Sequence, residues 1–163
     1  MKSSLEHQKG FTLIEIVLVV GILTILLSMA FVSIGNIRVI STNSNTSTVI
    51  VSDLKNQQIR AMVGDTEGRG VPDNYGIKIL PTQYILFHGN LYNPSDTTNY
   101  AIPISTGFSL SSTFTNDTIL FASESGEIVT FTQNHDTITL TNTTSNQAKT
   151  IHLNKYGTIT SID

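Results

Sequence analysis

The chain has 163 residues, which suffices for one modest domain with an appended segment but not for two full domains. Only 13% of the residues are charged and the formal net charge is −3, which excludes a charge-rich disordered chain and disfavours a broad nucleic-acid footprint. Cysteine is absent, so disulfides, thiolate zinc sites and a cysteine nucleophile are excluded. The polar character comes instead from Ser, Thr and Asn.

Residues 11–34 are nearly all apolar, and Glu15 is the only charged residue between Lys9 and Arg38. At about 1.5 Å per residue, a helix of this length spans about 36 Å, which exceeds the hydrocarbon core of about 30 Å. The apolar residues surround the helix, which argues against packing on one face of a soluble domain. Because Lys2 and Lys9 precede the segment, the sequence predicts a membrane helix with its first ten residues in the cytoplasm and the rest outside.

Three fates are open to such a segment: a permanent anchor, a cleaved secretory signal, or a more specialised element. Ser28 and Ala30 flank Met29 in the small-residue pattern of a signal-peptidase site. Glu15 argues against a generic signal or anchor, since a carboxylate costs up to about 2.5–3.5 kcal/mol at the centre of a membrane helix. An ionisable residue in such a place indicates a functional role with a partner.

The run KGFTLIE at residues 9–15 resembles the prepilin signature of type IV pilins and type II secretion pseudopilins. That signature is a basic leader ending in Gly, then Phe, a short apolar stretch and a Glu ahead of a long apolar helix. The resemblance implies that a membrane-embedded prepilin peptidase cleaves between Gly10 and Phe11 and methylates the new amino terminus, giving a methylated phenylalanine. Gly10 suits this cleavage because a residue without a Cβ lets an extended backbone approach a protease closely.

Glu15 is the residue to which we assign the assembly function. In a bundle of such helices it can pair with the Phe11 amine of a neighbouring subunit, which would relieve the cost of burial and fix the axial register. The resemblance implies the same role. The residues alone also allow Glu15 to reach the lipid headgroups without a partner.

The resemblance also implies partners and a location. The partners are the prepilin peptidase, other pilin or pseudopilin subunits, an inner-membrane assembly platform and the membrane itself, crossed by a single-pass helix. The location is the bacterial cytoplasmic membrane, with the C-terminal head outside, and then a pilus or a pseudopilus of the type II secretion system. The sequence gives no indication of a nucleic-acid partner.

Beyond the apolar segment, residues 36–48 are strongly polar and fit either a softened helix or a linker. The spacing of Leu54, Ile59 and Met62 then predicts an amphipathic helix over residues 48–63, ended by Gly64 and with its apolar face on the head. The predicted boundaries are a leader at 1–10, a transmembrane and assembly helix at 11–35, a polar linker and amphipathic helix at 36–63, and a β-rich head at 64–163.

The head is predicted to be all-β and antiparallel, so the fold class is α+β with a long N-terminal hydrophobic helix as in pilins. Alternating apolar residues separated by turn signals predict strands at 75–80, 83–88, 108–114, 119–123, 128–132, 137–141, 150–153 and 158–162. A strand that ends in Phe before a Gly turn, and an N-x-x-G turn at residues 154–157, resemble the H-type minor pseudopilins and the FimT-like minor pilins.

The sequence contains no pattern that indicates catalysis. The serine-hydrolase, zinc-protease and phosphate-loop motifs are missing, so we predict no catalytic residue and no cofactor. No metal site is predicted either, since the histidines lack ligand spacing and the acidic residues of 64–74 lack that of a calcium loop: His7, His88, His135, His152, Asp65, Glu67 and Asp73.

Two hypotheses remain. The first is a non-enzymatic prepilin-like subunit, cleaved after Gly10 and assembled through its helix as a minor component of a pilus or pseudopilus. The second is an exported or membrane-tethered β-rich binding module, cleaved by ordinary signal peptidase near Ala30.

Overall fold

The structure, a computed structural model, describes residues 12–129 and 131–163, with the side chains of residues 29–45 outside that description. The predicted leader at 1–10, with Gly10, and also Phe11 lie outside the described residues. The chain divides into two compact units, Met1–Ser41 and Thr42–Asp163. The β-rich head belongs to the second unit together with the C-terminal part of the helix.

Helix α1 is assigned over Leu13–Met62, including the polar residues 36–48. It ends in a Schellman motif, because the amide of Gly64 donates to the carbonyl of Ala61 (3.0 Å) and that of Asp65 to the carbonyl of Arg60 (3.0 Å). Gly64 has φ +63°, so the predicted helix stop at this glycine is confirmed. The predicted long hydrophobic helix at 11–35 is not confirmed, since its side chains are described only at residues 12–28.

Among its described residues, the head contains eight named strands and one short 3-10 turn at Thr115–Asp117. In chain order the strands are β1 (Tyr75–Leu80), β2 (Gln83–His88), β3 (Tyr100–Pro103), β4 (Phe108–Ser112), β5 (Thr118–Phe121), β6 (Thr137–Asn142), β7 (Ala148–Leu153) and β8 (Ile159–Ile162). They form two four-stranded sheets, one in the order β3-β2-β1-β5 and the other in the order β4-β6-β7-β8. Every strand pair is antiparallel, as predicted.

One hydrophobic core joins the end of α1 to both sheets. Its buried members include Ile50 and Leu54 from α1, Ile77 and Phe121 from the first sheet, and Leu140 from the second. Such burial contributes about 1.5–3 kcal/mol for each fully buried large apolar side chain and is the main force that holds the head together.

The buried stripe of α1 differs from the predicted one. Ile59 and Met62 are half exposed, at 55% and 50%, whereas Gln57 and Ala61 are buried. The stripe continues from Leu54 at helical spacing, so position 57 faces the head although its residue is polar. A prediction from apolar character alone therefore identified the wrong residues as buried at the end of this helix.

The strand predicted at 128–132 is wrong for the residues of that range that the structure describes. Ile128 forms an isolated bridge to Phe121, and Thr132 forms another to His135. The chain turns after β5. The amide of Ile128 then donates to the carbonyl of Lys155 (2.9 Å), outside any named strand. Strand β3 was not predicted, because it is a four-residue edge strand with mostly exposed side chains and no alternation.

Candidate functional site

The N-terminal segment at residues 12–28 begins with a capped helix. The amide of Glu15 donates to the hydroxyl oxygen of Thr12 (3.3 Å) and lies 3.1 Å from its carbonyl oxygen, and the amide of Ile16 donates to the same carbonyl (3.3 Å). Thr12 is therefore the N-cap and Glu15 the third helical residue, the spacing of the T-x-x-E capping box. A carboxylate in the first turn also interacts favourably with the positive end of the helix dipole.

The apolar side chains of this segment are exposed on all sides of the helix. Relative exposure is 84% at Leu13, 60% at Val17, 54% at Val20, 49% at Leu23 and 64% at Ile25. A continuous apolar surface of this kind marks a segment that contacts lipid or other protein.

The neutral polar groups of the segment are satisfied within the helix. The hydroxyl of Thr24 donates to the carbonyls of Val20 (3.0 Å) and Gly21 (2.8 Å), and that of Ser28 donates to the carbonyl of Ile25 (2.7 Å). Such back-bonding lets hydroxyl residues lie in an apolar environment. Glu15 is thus the one ionisable residue of 12–28, and its side chain is exposed.

Within the described part of the chain, we find no helix with both the length and the apolarity that crossing a membrane requires. The transmembrane helix therefore stays a prediction.

The end of α1 is fastened to two glycine turns of the head. The side-chain amide of Gln58 donates to the carbonyls of Gly126 (3.1 Å) and Tyr156 (2.7 Å). The amide of Glu124 donates to the carbonyl of Ala61 (2.8 Å). These bonds hold the helix end against both turns on which the resemblance to the minor pseudopilins rests.

A buried tyrosine forms a second polar attachment. The hydroxyl of Tyr84, in β2, donates to a carboxylate oxygen of Asp53 on α1 (2.5 Å). Burial raises the pKa of Tyr84 above its ordinary value, and the hydrogen bond and the negative charge of Asp53 raise it further. The hydroxyl therefore stays a donor at neutral pH.

His88 and His152 of the head lie beside carboxylates rather than beside each other. Nδ1 of His88 lies 2.9 Å from Asp73, and Nε2 of His152 lies 3.4 Å from Asp163. No group of three or more His, Cys, Asp or Glu residues able to hold a metal ion occurs among residues 12–129 and 131–163.

Of the three predicted site residues, the structure describes only one. Gly10 and Phe11 lie outside the described residues, and Glu15 lies in the first turn of α1. The capping role of Thr12 was missed, although the T-x-x-E spacing just before an apolar run was visible in the sequence. The attachments of Gln58 and Tyr84 join residues far apart in the chain, and no sequence motif signals them.

Comparison with protein-family models supplies the class. Residues 6–31 match the prokaryotic N-terminal methylation motif. The chain thus carries the N-terminal motif of type IV pilins and pseudopilins, and the resemblance at residues 9–15 is confirmed at the level of this family. No curated protein and no solved structure gave a significant match.

The motif supports general statements about the location, the processing and the class of the protein. It suggests a membrane-anchored and then pilus-associated protein. It implies processing by a prepilin peptidase and, in general terms, pilin partners in assembly. The family that carries it is structural rather than enzymatic.

Proposed function

We propose that the protein is a non-enzymatic prepilin-like subunit, cleaved after Gly10, methylated on Phe11 and assembled through its N-terminal helix into a type IV pilus or a type II secretion pseudopilus, as a minor component. The observation that carries the proposal is one exposed apolar helix with a single carboxylate in its first turn, inside a matching methylation motif.

The proposed mechanism follows from the charge and polarity of the segment. The apolar helix stores the subunit in the cytoplasmic membrane with its head outside, and the assembly platform extracts it. Extraction exchanges lipid contacts for contacts with neighbouring helices. Cleavage frees a cationic amine at Phe11, and Glu15 of one subunit pairs with that amine on its neighbour, so a misaligned subunit would bury an unpaired charge.

The proposed organisation assigns one task to each part of the chain. Residues 1–10 are the leader, 11–35 the transmembrane and assembly helix, 36–63 the polar linker and amphipathic helix, and 64–163 the head. The H-type minor pseudopilins and FimT-like pilins are the proposed subgroup. The support for this subgroup is the pair of glycine turns that pack on α1 through Gln58.

Replacement of Glu15 by Ala tests the mechanism in cells that assemble the filament. We expect filament incorporation to fall at least about 100-fold, because loss of one partner of a buried ion pair costs about 3–5 kcal/mol. Membrane levels of the protein should not fall. Glu127→Ala is the matched control, because this carboxylate lies 3.6 Å from Lys155 on the surface of the head.

The alternative, a binding module cleaved near Ala30, predicts a different result. Its mature chain lacks Glu15, so Glu15→Ala would leave the exported product unchanged. Normal incorporation of Glu15→Ala into filaments would overturn the register mechanism.

A further inference from the structure

A cavity of about 230 Å³ lies in the head between α1 and the first sheet. Gln57 and Arg60 of α1 line one side, and Leu86, His88 and Tyr100 of β2 and β3 line another. The volume falls below the range of about 300–1,000 Å³ that is usual for drug-sized ligands, so the cavity suits a single small ring.

Gln57 is the most informative residue of the wall. Its side chain is 2% exposed, and its Oε1 atom accepts no hydrogen bond from the residues that the structure describes. A buried amide oxygen without a donor is costly, and buried polar groups normally have a partner. Because this oxygen has almost no surface open to the cavity, the Gln57 amide must turn about its terminal side-chain torsion before a ligand hydroxyl or amide proton satisfies it.

The charged side chains around the cavity are already paired. Arg60 donates to Asp65 (2.9 Å), forms an ion pair with Glu67, and its guanidinium lies 4.4 Å from the ring centroid of Tyr75. Glu67 also receives a hydrogen bond from Arg69 (2.6 Å). Since these opposite charges neutralise each other, the wall offers no unpaired charge to an ionic ligand.

The polar groups beside His88 are held in the same way. Nδ1 of His88 lies 2.9 Å from Asp73, and Nε2 lies 2.7 Å from the hydroxyl of Thr98. That hydroxyl donates to Asp96 (2.6 Å). The part of the wall around His88 is thus fixed before a ligand arrives, which lowers the entropic cost of binding.

Tyr100 supplies a flat apolar surface at the rim. It is 66% exposed, and in the sheet it lies directly opposite Leu86. A ring that presents C–H groups on one face and hydroxyl donors on its edge would cover Tyr100 and reach Gln57. Neutral sugars have this combination.

We propose that the cavity binds one neutral pyranose ring of a glycan, with the ring against Tyr100 and one of its hydroxyl groups donating to Oε1 of Gln57. This site lies on the head and does not depend on the N-terminal processing or assembly proposed above.

The test is an NMR titration of the ¹⁵N-labelled full chain in a phosphocholine detergent, since maltoside and glucoside detergents carry sugars themselves. The probes are the methyl glycosides of glucose, galactose, mannose, N-acetylglucosamine and N-acetylgalactosamine, with glucuronic acid and glucosamine as charged counterparts. We expect at least one neutral glycoside to give saturable shifts centred on the amides of Gln57, His88 and Tyr100. The charged sugars should bind more weakly.

Two variants and one matched control locate the site. Tyr100→Ala should weaken binding about tenfold by loss of the aromatic surface. Gln57→Leu should weaken it about tenfold by loss of the acceptor while preserving the shape. Tyr156→Ala removes a tyrosine that is 63% exposed outside the cavity and should bind like the wild type.

The proposal is overturned if no neutral glycoside binds, if the shifts lie away from the cavity, or if a charged sugar binds more tightly. Equal binding by Tyr100→Ala and the wild type also overturns it, even where Gln57→Leu does not fold. None of these results bears on filament incorporation of Glu15→Ala.

Discussion

Gln58 and Gly157 lie so close together that a Cβ atom built on Gly157 would overlap Nε2 of Gln58. The same nitrogen donates to the carbonyl of Tyr156, so a side chain at position 157 would displace the group that fastens the end of α1 to this turn. The glycine of the N-x-x-G turn is therefore required both by its φ of +71° and by the helix beside it.

Gly157→Ala should lower the free energy of unfolding more than Gly107→Ala does. Both positions have positive φ, which costs a non-glycine residue about 1–3 kcal/mol, but nothing lies within 4 Å of a Cβ at Gly107. Displacement of Gln58 adds about 1–3 kcal/mol at position 157. Thermal or denaturant unfolding of both variants measures the difference, and equal losses would show that the Gln58 contact contributes nothing.

Tyr84→Phe should destabilise the head by about 1.5–3 kcal/mol at neutral pH, because it removes a hydrogen bond to the Asp53 carboxylate. Tyr156→Phe makes the same chemical change at an exposed ring and is the matched control. Unfolding in denaturant measures both. A Tyr84→Phe loss no larger than that of the control would contradict the attachment.

The raised pKa of Tyr84 also predicts a dependence of stability on pH. Below the ordinary tyrosine pKa of about 10, Tyr84 is neutral in both folded and unfolded chains, and its contribution is fully present. Above that pH the unfolded chain loses this proton first, so the free energy of unfolding falls as the pH rises. The fall should be steeper in the wild type than in Tyr84→Phe, and identical slopes would refute the prediction.

Thr12→Ala should loosen the first turn of α1. Loss of an N-cap hydroxyl costs about 0.5–2 kcal/mol, so the amide of Glu15 should exchange its hydrogen about 2–30 times faster. Thr24→Ala is the control, because the Thr24 hydroxyl donates to carbonyls and does not cap the helix. Hydrogen exchange of the micelle-bound chain, read at Glu15, distinguishes the two. Unchanged exchange in Thr12→Ala would show that the cap is unimportant.

The parts of the fold that were predictable from sequence are those with local signals. Alternating residues on either side of Pro81 predicted the β1–β2 hairpin correctly, and Gly64 predicted the end of α1. Strand β3 carries no such signal, because its place depends on pairing with β2 rather than on its own residues.

The candidate functional residues also divide into those with a local sequence signal and those without one. The processing motif around Gly10 and Phe11 lies within a few consecutive residues and is readable from the sequence. By contrast, the sequence showed only that Glu67 lacks the spacing of a calcium ligand, and in the structure it forms ion pairs with Arg60 and Arg69. These pairings depend on how the loop at 64–74 folds back on α1, which no spacing rule conveys.

The most direct test of the central claim is the intact mass and amino-terminal sequence of the protein isolated from the membranes of cells with an active prepilin peptidase. The account predicts a mature chain that begins at Phe11 and is heavier by one methyl group. A chain that begins at Phe31 would contradict it and indicate ordinary signal-peptidase cleavage, and an uncut chain that begins at Met1 would contradict it as well.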